Sequence, residues 1–348
     1  MKKIIYLFVL FLAVSCTLRT AENPVNKAEG IPPDQISIGG ILAEMMSADT
    51  LQKTVSDSKT STYKNTITQL LTGLEQVKLE RKELDETDLS GQWDELNDAV
   101  SRDIENLSIK DEEAWIALND SLLKYTEEVR FADALEQITY NLAGRKYISE
   151  AQLKSYFYTR LYDRIYFNVF GSSSLQYEHT TGGIVRIAQD TDYPFDGRIT
   201  LKVELQDKRY LDLYIRIPEW ANSSSVTSKG VKYNVVPGQF TEIAKKWQNG
   251  DEVEIIIGMR PRLVERKSEK SSFAITYGSL FLSYLNSNND QLVFEKNDDP
   301  IQYLRFVSPP GKMPTFTFSG IRDTTIILQP YFVDNQDFVM RTAWLQYN

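Results

Sequence analysis

Between residues 198 and 259 the chain repeatedly alternates apolar and polar positions with a period of two. Ile199, Leu201, Val203 and Leu205 share one face against Arg198, Thr200, Lys202 and Glu204, the pattern of a strand with one side in a core and the other in water. Leu211, Leu213, Ile215 and Ile217 repeat it, as do Val253, Ile255, Ile257 and Met259, with apolar Ile256 the one exception. Turn-forming residues separate these runs: Asp196-Gly197, Pro218, Pro237-Gly238 and Asn249-Gly250-Asp251. Short strands with one apolar face and regular turns predict an antiparallel sandwich. Further strands are predicted at 273–277, 280–284, 304–307 and 315–318.

Upstream the period becomes helical. Helices are predicted near 40–56 and 61–82, the second with an apolar stripe of Ile67, Leu70, Leu71 and Leu74. Another is expected around Trp93, Leu96 and Val100. Ser108 and Asp111 have capping-box spacing, and Asp111, Glu112 and Glu113 fall in the first turn, where the helix dipole favours negative charge. Glu112 and Glu113 are read there as a solvated helix start. A last helix presents Phe131, Leu135, Ile138 and Leu142.

The first residues change the picture from a plain globular chain to an exported one. Lys2 and Lys3, an apolar run from Ile4 to Val14 and small Ser15 make a secretion signal, too short to span a bilayer. Ala13-Val14-Ser15-Cys16 resembles a lipobox, which implies lipid attachment at Cys16 and places the protein in the bacterial envelope, at the outer membrane. Residues 1–16 are thus signal peptide and lipobox, and 17–33 a flexible tether. The membrane is expected as a partner through that anchor only. The 348 residues, 42% hydrophobic, suffice for two or three packed units. A single cysteine excludes an intramolecular disulfide, and a net charge of −9 argues against nucleic acid, which needs a basic face.

Several ordered motifs resemble one family. Asp192-Tyr-Pro-Phe-Asp-Gly197, Leu213-Tyr-Ile-Arg-Ile-Pro-Glu-Trp-Ala221, Lys246-Trp-Gln-Asn-Gly-Asp251, Met259-Arg-Pro-Arg262, Tyr277-Gly-Ser-Leu280 and Met340-Arg-Thr-Ala-Trp344 resemble the β-sandwich region of family 127 glycoside hydrolases, the β-L-arabinofuranosidases and their relatives. Phe131 to Asn141 is similar to a helix near the end of that family's (α/α)₆ barrel, and Ile36 to Glu44, more faintly, to its opening segment. The resemblance implies a multidomain α+β fold. Residues 34–145 would form a helical domain, a partial α/α-barrel remnant, and 146–265 a first antiparallel β-sandwich completed by 324–348. Residues 266–323 would form a second, inserted β-sandwich.

The same resemblance implies an active site in the barrel, with a cysteine nucleophile in a zinc site of cysteines and a glutamate. The stretch from Ala143 to Asn168, where those thiols would fall, contains none, and Cys16 is the only cysteine. Neither that nucleophile nor its metal has ligands here, and no catalytic residue, metal or cofactor is assigned. Asp192 and Asp196 could be an acid pair for glycoside hydrolysis, but Asp196-Gly197 also reads as turn chemistry. His179, the one histidine, reads as an exposed loop or strand-end residue. Aromatic rings remain as candidate glycan-stacking groups: Tyr156, Tyr158, Tyr162, Tyr166, Trp220 and Trp247, set against their use in core packing. The reading that follows is a lipid-anchored, non-catalytic relative that binds a glycan ligand or acts as an envelope accessory with a protein partner. The alternatives are a glycoside hydrolase working through unidentified carboxylates, and a degenerate remnant without a dedicated function.

Overall fold

The computed structural model of the chain describes residues 28–47, 61–84, 87–104, 107–142, 148–266, 269–285, 293–295, 299–309, 311–318, 326–331 and 341–347. Cys16, the signal segment and most of the tether lie outside the described residues, as does the second half of the helix predicted at 40–56. The fold is multidomain α+β. Its helices are α1 (Gly40–Ser47), α2 (Lys64–Glu80), α3 (Leu89–Arg102), α4 (Ile109–Thr126), α5 (Val129–Leu142) and α6 (Glu150–Phe157). The stripe on α2 is buried at Ile67, Leu70, Leu74 and Val77, and that on α3 at Trp93, Leu96 and Val100. Trp93 and Trp115 stack with centroids 5.9 Å apart, so the helices share one core.

The predicted strands form, and they divide between two facing sheets. Arg198–Leu205 and Asp251–Ile256 pair inside a seven-stranded sheet, whereas Arg209–Arg216 pairs with Phe240–Trp247 in a five-stranded one. Ile199, Leu201 and Val203 from one sheet and Leu211, Leu213 and Ile215 from the other are fully buried in the same core. In these two sheets one pairing among the described residues departs from the antiparallel rule, Arg164–Phe167 lying parallel to Arg209–Arg216, and in the third sheet Val293–Phe294 lies parallel to Trp344–Tyr347.

What closes this sandwich was misassigned by the sequence reading. Glu29–Gly30 adds to the five-stranded sheet and Ile36–Ile38 to the seven-stranded one. The supposed tether is therefore part of the fold from Ala28 onward, because Ala28, Ile31 and Ile36 bury apolar side chains there. Ile326–Pro330 and Trp344–Tyr347, expected to complete the first sandwich, pair instead with Leu280–Leu285 and Glu269–Tyr277 in a third, nine-stranded sheet. Leu328 and Leu345 belong to that sheet's own core with Phe273 and Phe294, which fixes their placement. Pro261–Arg266 also pairs into the third sheet, so the unit begins before residue 266.

The capping box at the start of α4 is present, with Ser108 Oγ accepting from the Asp111 N–H. Its surroundings differ from a solvated start, since Asp111 and Glu112 are both buried. Asp111 Oδ1 accepts from the Ser61 hydroxyl at 2.6 Å and from the Tyr63 and Lys64 N–H groups at 2.8 Å. One carboxylate thus satisfies free amides at the start of α2 as well as its own cap. Burial works to raise its pKa, but hydrogen bonds from Ser108, Ser61 and the backbone outweigh this and hold it below the usual aspartate range.

Candidate functional site

Helix α5 carries polar residues that meet the sandwich at two adjoining places. The first is a closed junction. Arg216, fully buried on its strand, is ion-paired to Asp133 and Glu136, three residues apart on one face of α5. The Tyr193 hydroxyl donates to Glu136 at 2.5 Å, and the Glu219 N–H donates to Asp133 at 2.9 Å. The Arg216 guanidinium lies 5.1 Å from the Phe170 ring centroid. Farther along the helix, Asn141 donates to the Ser279 carbonyl and accepts from the Phe281 N–H, both at 2.8 Å. Burial pushes the Glu136 carboxyl up to about 6, against the pull of Arg216. The motif residues Asp133, Glu136, Tyr193, Arg216 and Ser279 therefore converge, and what they build is a joint between the helical layer and both β units.

The second place is a cleft of about 840 Å³ immediately outside that joint. Its helical wall comes from α3, with Trp93, Asp94, Asn97, Asp98 and Ser101, and from α5, with Arg130, Asp133, Ala134 and Gln137. The spacings of three and four put each set on one helix face, and Ser101 Oγ donates to Gln137 Oε1 at 3.3 Å to tie the two helices. The β wall comes from Arg262 and Val264 on one strand, Thr276 on the next, and Gly278 in the turn that follows it. Arg262 lies directly opposite Thr276 in register, so the period of two turns Arg262, Val264 and Thr276 toward the helices. Phe273 and Ile275 point the other way, into the third sheet's core.

Trp220 and Glu219, from the loop after Arg216, complete the rim. Gly278 makes room for Trp220: at φ 61° it occupies the left-handed region, and a Cβ there would stand 2.4 Å from Met259 Cε and 3.3 Å from the Trp220 ring. Arg262 Nη2 donates to the Gly278 carbonyl at 2.9 Å, and its guanidinium lies 5.2 Å from the Trp220 ring centroid. Burial lowers the Arg262 pKa, partly offset by Asp133. Arg262 Nε and Thr276 Oγ1 are buried without a hydrogen-bond partner.

A shallower hollow of about 600 Å³ shares Arg130 and Glu219 with the cleft. Tyr166 and Tyr214 stack there with centroids 4.5 Å apart, and their hydroxyls donate to Glu127 at 2.6 Å and Glu242 at 2.9 Å.

The six aromatic candidates therefore have different fates. Trp220 lines the cleft and Tyr166 the hollow. Tyr156, Tyr158 and Trp247 are fully buried, which rules them out as stacking surfaces for a sugar. Their polar atoms are used internally: Tyr156 with Thr139, Tyr158 with Ser173, and Trp247 Nε1 donating to the Leu211 carbonyl at 2.9 Å. Tyr162 is 61% exposed on the turn between Tyr158–Leu161 and Arg164–Phe167, away from either hollow. His179 is not exposed as expected but buried at a strand end, with Nε2 3.2 Å from the Tyr210 carbonyl and 3.3 Å from Asp163. Asp196 Oδ1 accepts from the Arg198 N–H at 2.8 Å, which is its turn role, and Gly197 has no room for a Cβ against the Ile257 carbonyl.

The cleft has no local trace in the sequence, because Asn97 on the helical wall and Arg262 and Thr276 on the β wall come from segments far apart in the chain. The alternation of Phe273, Ile275 and Tyr277 against Ala274 and Thr276 was a signal that Thr276 faces another layer. Among the described residues, no three of His, Cys, Asp and Glu are grouped as metal ligands, and no helix is long and apolar enough to cross a membrane.

Comparison with known proteins bears on this architecture. Residues 164–259 match the family model of the β-L-arabinofuranosidase GH127 middle domain. Among solved structures, the chain is similar to a glycoside hydrolase at 19% identity and TM-score 0.57, covering 69% of this chain and 52% of that one. It is also similar to Ara127N-Se, a GH127 β-L-arabinofuranosidase from Geobacillus stearothermophilus T6, at 17% identity and TM-score 0.57, covering 69% and 50%. The GH127 β-arabinofuranosidase BT3674 aligns at 17% identity and TM-score 0.58, covering 69% and 49%. The chain spans about half the length of these structures. No curated protein matches it. The fold is thus GH127-like, and residues 164–259 carry that likeness in sequence.

Proposed function

We propose that this chain is a lipid-anchored, non-catalytic relative of the GH127 enzymes that holds a carbohydrate in the cleft between α3, α5 and the third sheet. The observation that carries the reading is the lining of that cleft. It sets one large aromatic ring, Trp220, beside hydrogen-bonding side chains from both walls, the combination a sugar needs for its apolar face and its hydroxyls. The similar GH127 enzymes are arabinofuranosidases by name, so arabinose-containing glycans are the first ligands to test. The mechanism that the family resemblance implies has no thiol available, since the sequence holds one cysteine, in the lipobox-like segment.

A second reading is supported by the carboxylates. Asp94 and Asp98 on the helical wall face Glu219 on the β side, an arrangement from which an acid and a base for glycoside hydrolysis can be drawn. One experiment separates the readings. The full-length chain, purified in detergent, is applied to a glycan array and assayed against arabinofuranosides. Saturable binding without turnover supports the binding role, turnover supports the hydrolase, and silence in both leaves an envelope role through protein partners or a degenerate remnant. Attachment at Cys16 is tested separately by metabolic labelling with a fatty-acid analogue, which Cys16→Ser should abolish.

A further inference from the structure

The chain enters the fold at one end of the sandwich, and that end carries an exposed aromatic pair. Glu29 pairs opposite Arg160 and Gly30 opposite Thr159 in antiparallel register, so tracing back from Gly30 leads toward Leu161 and the turn at Tyr162 and Asp163. Tyr162 is 61% exposed there. Tyr210, 58% exposed, stands on the neighbouring strand: Arg164 and Asp212 are in parallel register, which brings Tyr210 level with Tyr162. Among the described residues no other tyrosine is exposed. Tyr162 also holds φ at 58°, in the left-handed region that favours glycine, asparagine or aspartate, so a large ring is kept here at a conformational cost. Only the eleven residues from Thr17 to Lys27 separate Ala28 from Cys16. From this we infer that the Tyr162 turn and Tyr210 make a second membrane contact, with their rings seated among lipid headgroups beside the anchor. The inference rests on the lipid attachment at Cys16 proposed above and adds to it a surface of the folded domain.

Reach and chemistry both select a bilayer surface for this end. Fully extended, the segment between Cys16 and Ala28 spans about 40 Å, and the strand Arg209–Arg216 runs about 27 Å from the Tyr210 end to the opposite one. A domain held at its Tyr162 end meets the membrane there first. Tyrosine suits the boundary, because its ring packs on acyl chains while its hydroxyl stays among the headgroups. The anchor keeps the rings close to the surface, so a weak second contact is enough to orient the domain. Charge does not oppose it. Lys208 and Lys246 are exposed beside the tyrosines, and Asp207 and Asp212 each lie 3.6 Å from an arginine, Arg209 and Arg164. This end therefore carries little of the net charge of −9 and does not repel an anionic leaflet. The turn is also held in place: Asp163 accepts from the Thr180 N–H at 3.3 Å and lies 3.3 Å from His179 Nε2, which ties it to the next hairpin.

The test uses the full-length lipidated chain in vesicles of phosphatidylethanolamine and phosphatidylglycerol that contain a lipid with a nitroxide on its headgroup. Cys16 is the only cysteine and the anchor consumes its thiol, so a single introduced cysteine takes a fluorophore uniquely. Lys208→Cys reports on the Tyr162 end. Gln239→Cys reports on the opposite end, next to Phe240, which pairs with Arg216. The nitroxide lipid should quench the label at 208 and leave the label at 239 bright. Replacing both rings, Tyr162→Asn with Tyr210→Ser, should cut the quenching at 208 about twofold with the melting temperature unchanged, since both rings are exposed. Tryptophan at both positions should retain it. Equal quenching at 208 and 239, or quenching at 208 that survives loss of both rings, would overturn the inference and leave the anchor standing. A label at 208 shielded from aqueous iodide yet untouched by the nitroxide lipid would assign this end to a second copy of the chain, which overturns it as well. Failure of Cys16 to take the fatty-acid analogue would remove the anchor itself, and the second contact with it.

Discussion

The joint and the cleft are built from the same helix, and they differ in what its polar side chains meet: a closed network of ion pairs and hydrogen bonds in one, open space in the other. In the joint, Glu136 is answered by Arg216, Tyr193 and the Phe170 amide, and Asn141 by Ser279 and Phe281. Buried atoms without a partner occur in both, Arg216 Nε and Ser279 Oγ in the joint and Arg262 Nε and Thr276 Oγ1 on the β wall, so the distinguishing feature of the cleft is its open volume lined by Asp94, Asn97 and Trp220. Asp133 stands on the boundary, paired to Arg216 on one side and lining the cleft on the other. The difference separates scaffold from site. Buried polar groups that complete one another lock layers together, whereas polar groups lining an open cleft face space that a ligand can fill. It also explains why the motif residues with the most conspicuous chemistry, an arginine between two carboxylates, need no ligand.

The strongest way to break this comparison is to remove the centre of the joint. Arg216→Met leaves Asp133 and Glu136 as adjacent carboxylates facing an apolar side chain, and should cost about 3–5 kcal/mol, measured by urea unfolding. A loss under 1 kcal/mol would mean that the joint does not hold the layers and that the contrast with the cleft is false. Next in size is Asp111→Ala, which strips acceptors from the starts of both α2 and α4 and should cost about 2–3 kcal/mol. The penalty should exceed that of an ordinary helix cap, because Ser61, Tyr63 and Lys64 lose a partner along with Ser108.

These two residues also measure how far the sequence could be read. The Ser108 and Asp111 spacing was legible because a capping box is local, spanning four residues. The second duty of Asp111, about fifty residues back along the chain, had no local trace. The same holds for Arg216. Its place in an alternating run predicts a polar residue on the solvent side of a strand, yet it is fully buried, because α5 covers that face. Inward residues such as Leu213 and Ile215 were predictable from periodicity alone. The return of the last segment was not, since Trp344–Tyr347 is too short and too evenly apolar to name its partner, and its pairing with Ser272, Phe273 and Ala274 decides it. Burial likewise separated Trp220 and Tyr166 from Tyr156, Tyr158 and Trp247, although all five are aromatic residues in similar surroundings on paper.

A smaller effect sharpens the contrast between the two buried carboxylates. Glu136 is raised to about 6 by burial, so the folded state holds its proton more tightly than the unfolded chain, whose glutamate titrates near 4.5. Stability tied to Glu136 is therefore fully present below that unfolded value and declines as pH rises through 6, by at most about 1.4 kcal/mol per pH unit. Asp111 runs the other way. Its lowered pKa gives stability that is present above the unfolded value near 3.8 and is lost as pH falls. Urea unfolding of wild type and Glu136→Gln at pH 4.5 and 6.5 checks the first: the wild-type advantage should shrink at the higher pH. An advantage that grows with pH would mean that Arg216 outweighs burial at this site.

The smallest expected change in stability belongs to the cleft. Asn97 lies on the face of α3 that lines it, half-buried, and its side chain makes no hydrogen bond to another described residue. Alanine is the better helix former, so Asn97→Ala trades a polar group that the fold does not use for a slightly more favourable helix. The stability change should stay within about 0.5 kcal/mol. Affinity for a glycan selected on the array should nevertheless fall, because the amide offers both a donor and an acceptor to a bound hydroxyl. The informative quantity is the ratio of the two effects. Joint residues should lose stability, and ligand binding only through it, while Asn97 should lose binding with an unchanged unfolding curve. If Asn97→Ala destabilised the chain by as much as a joint substitution, the cleft would be a packed interface, and the division between scaffold and site would not hold.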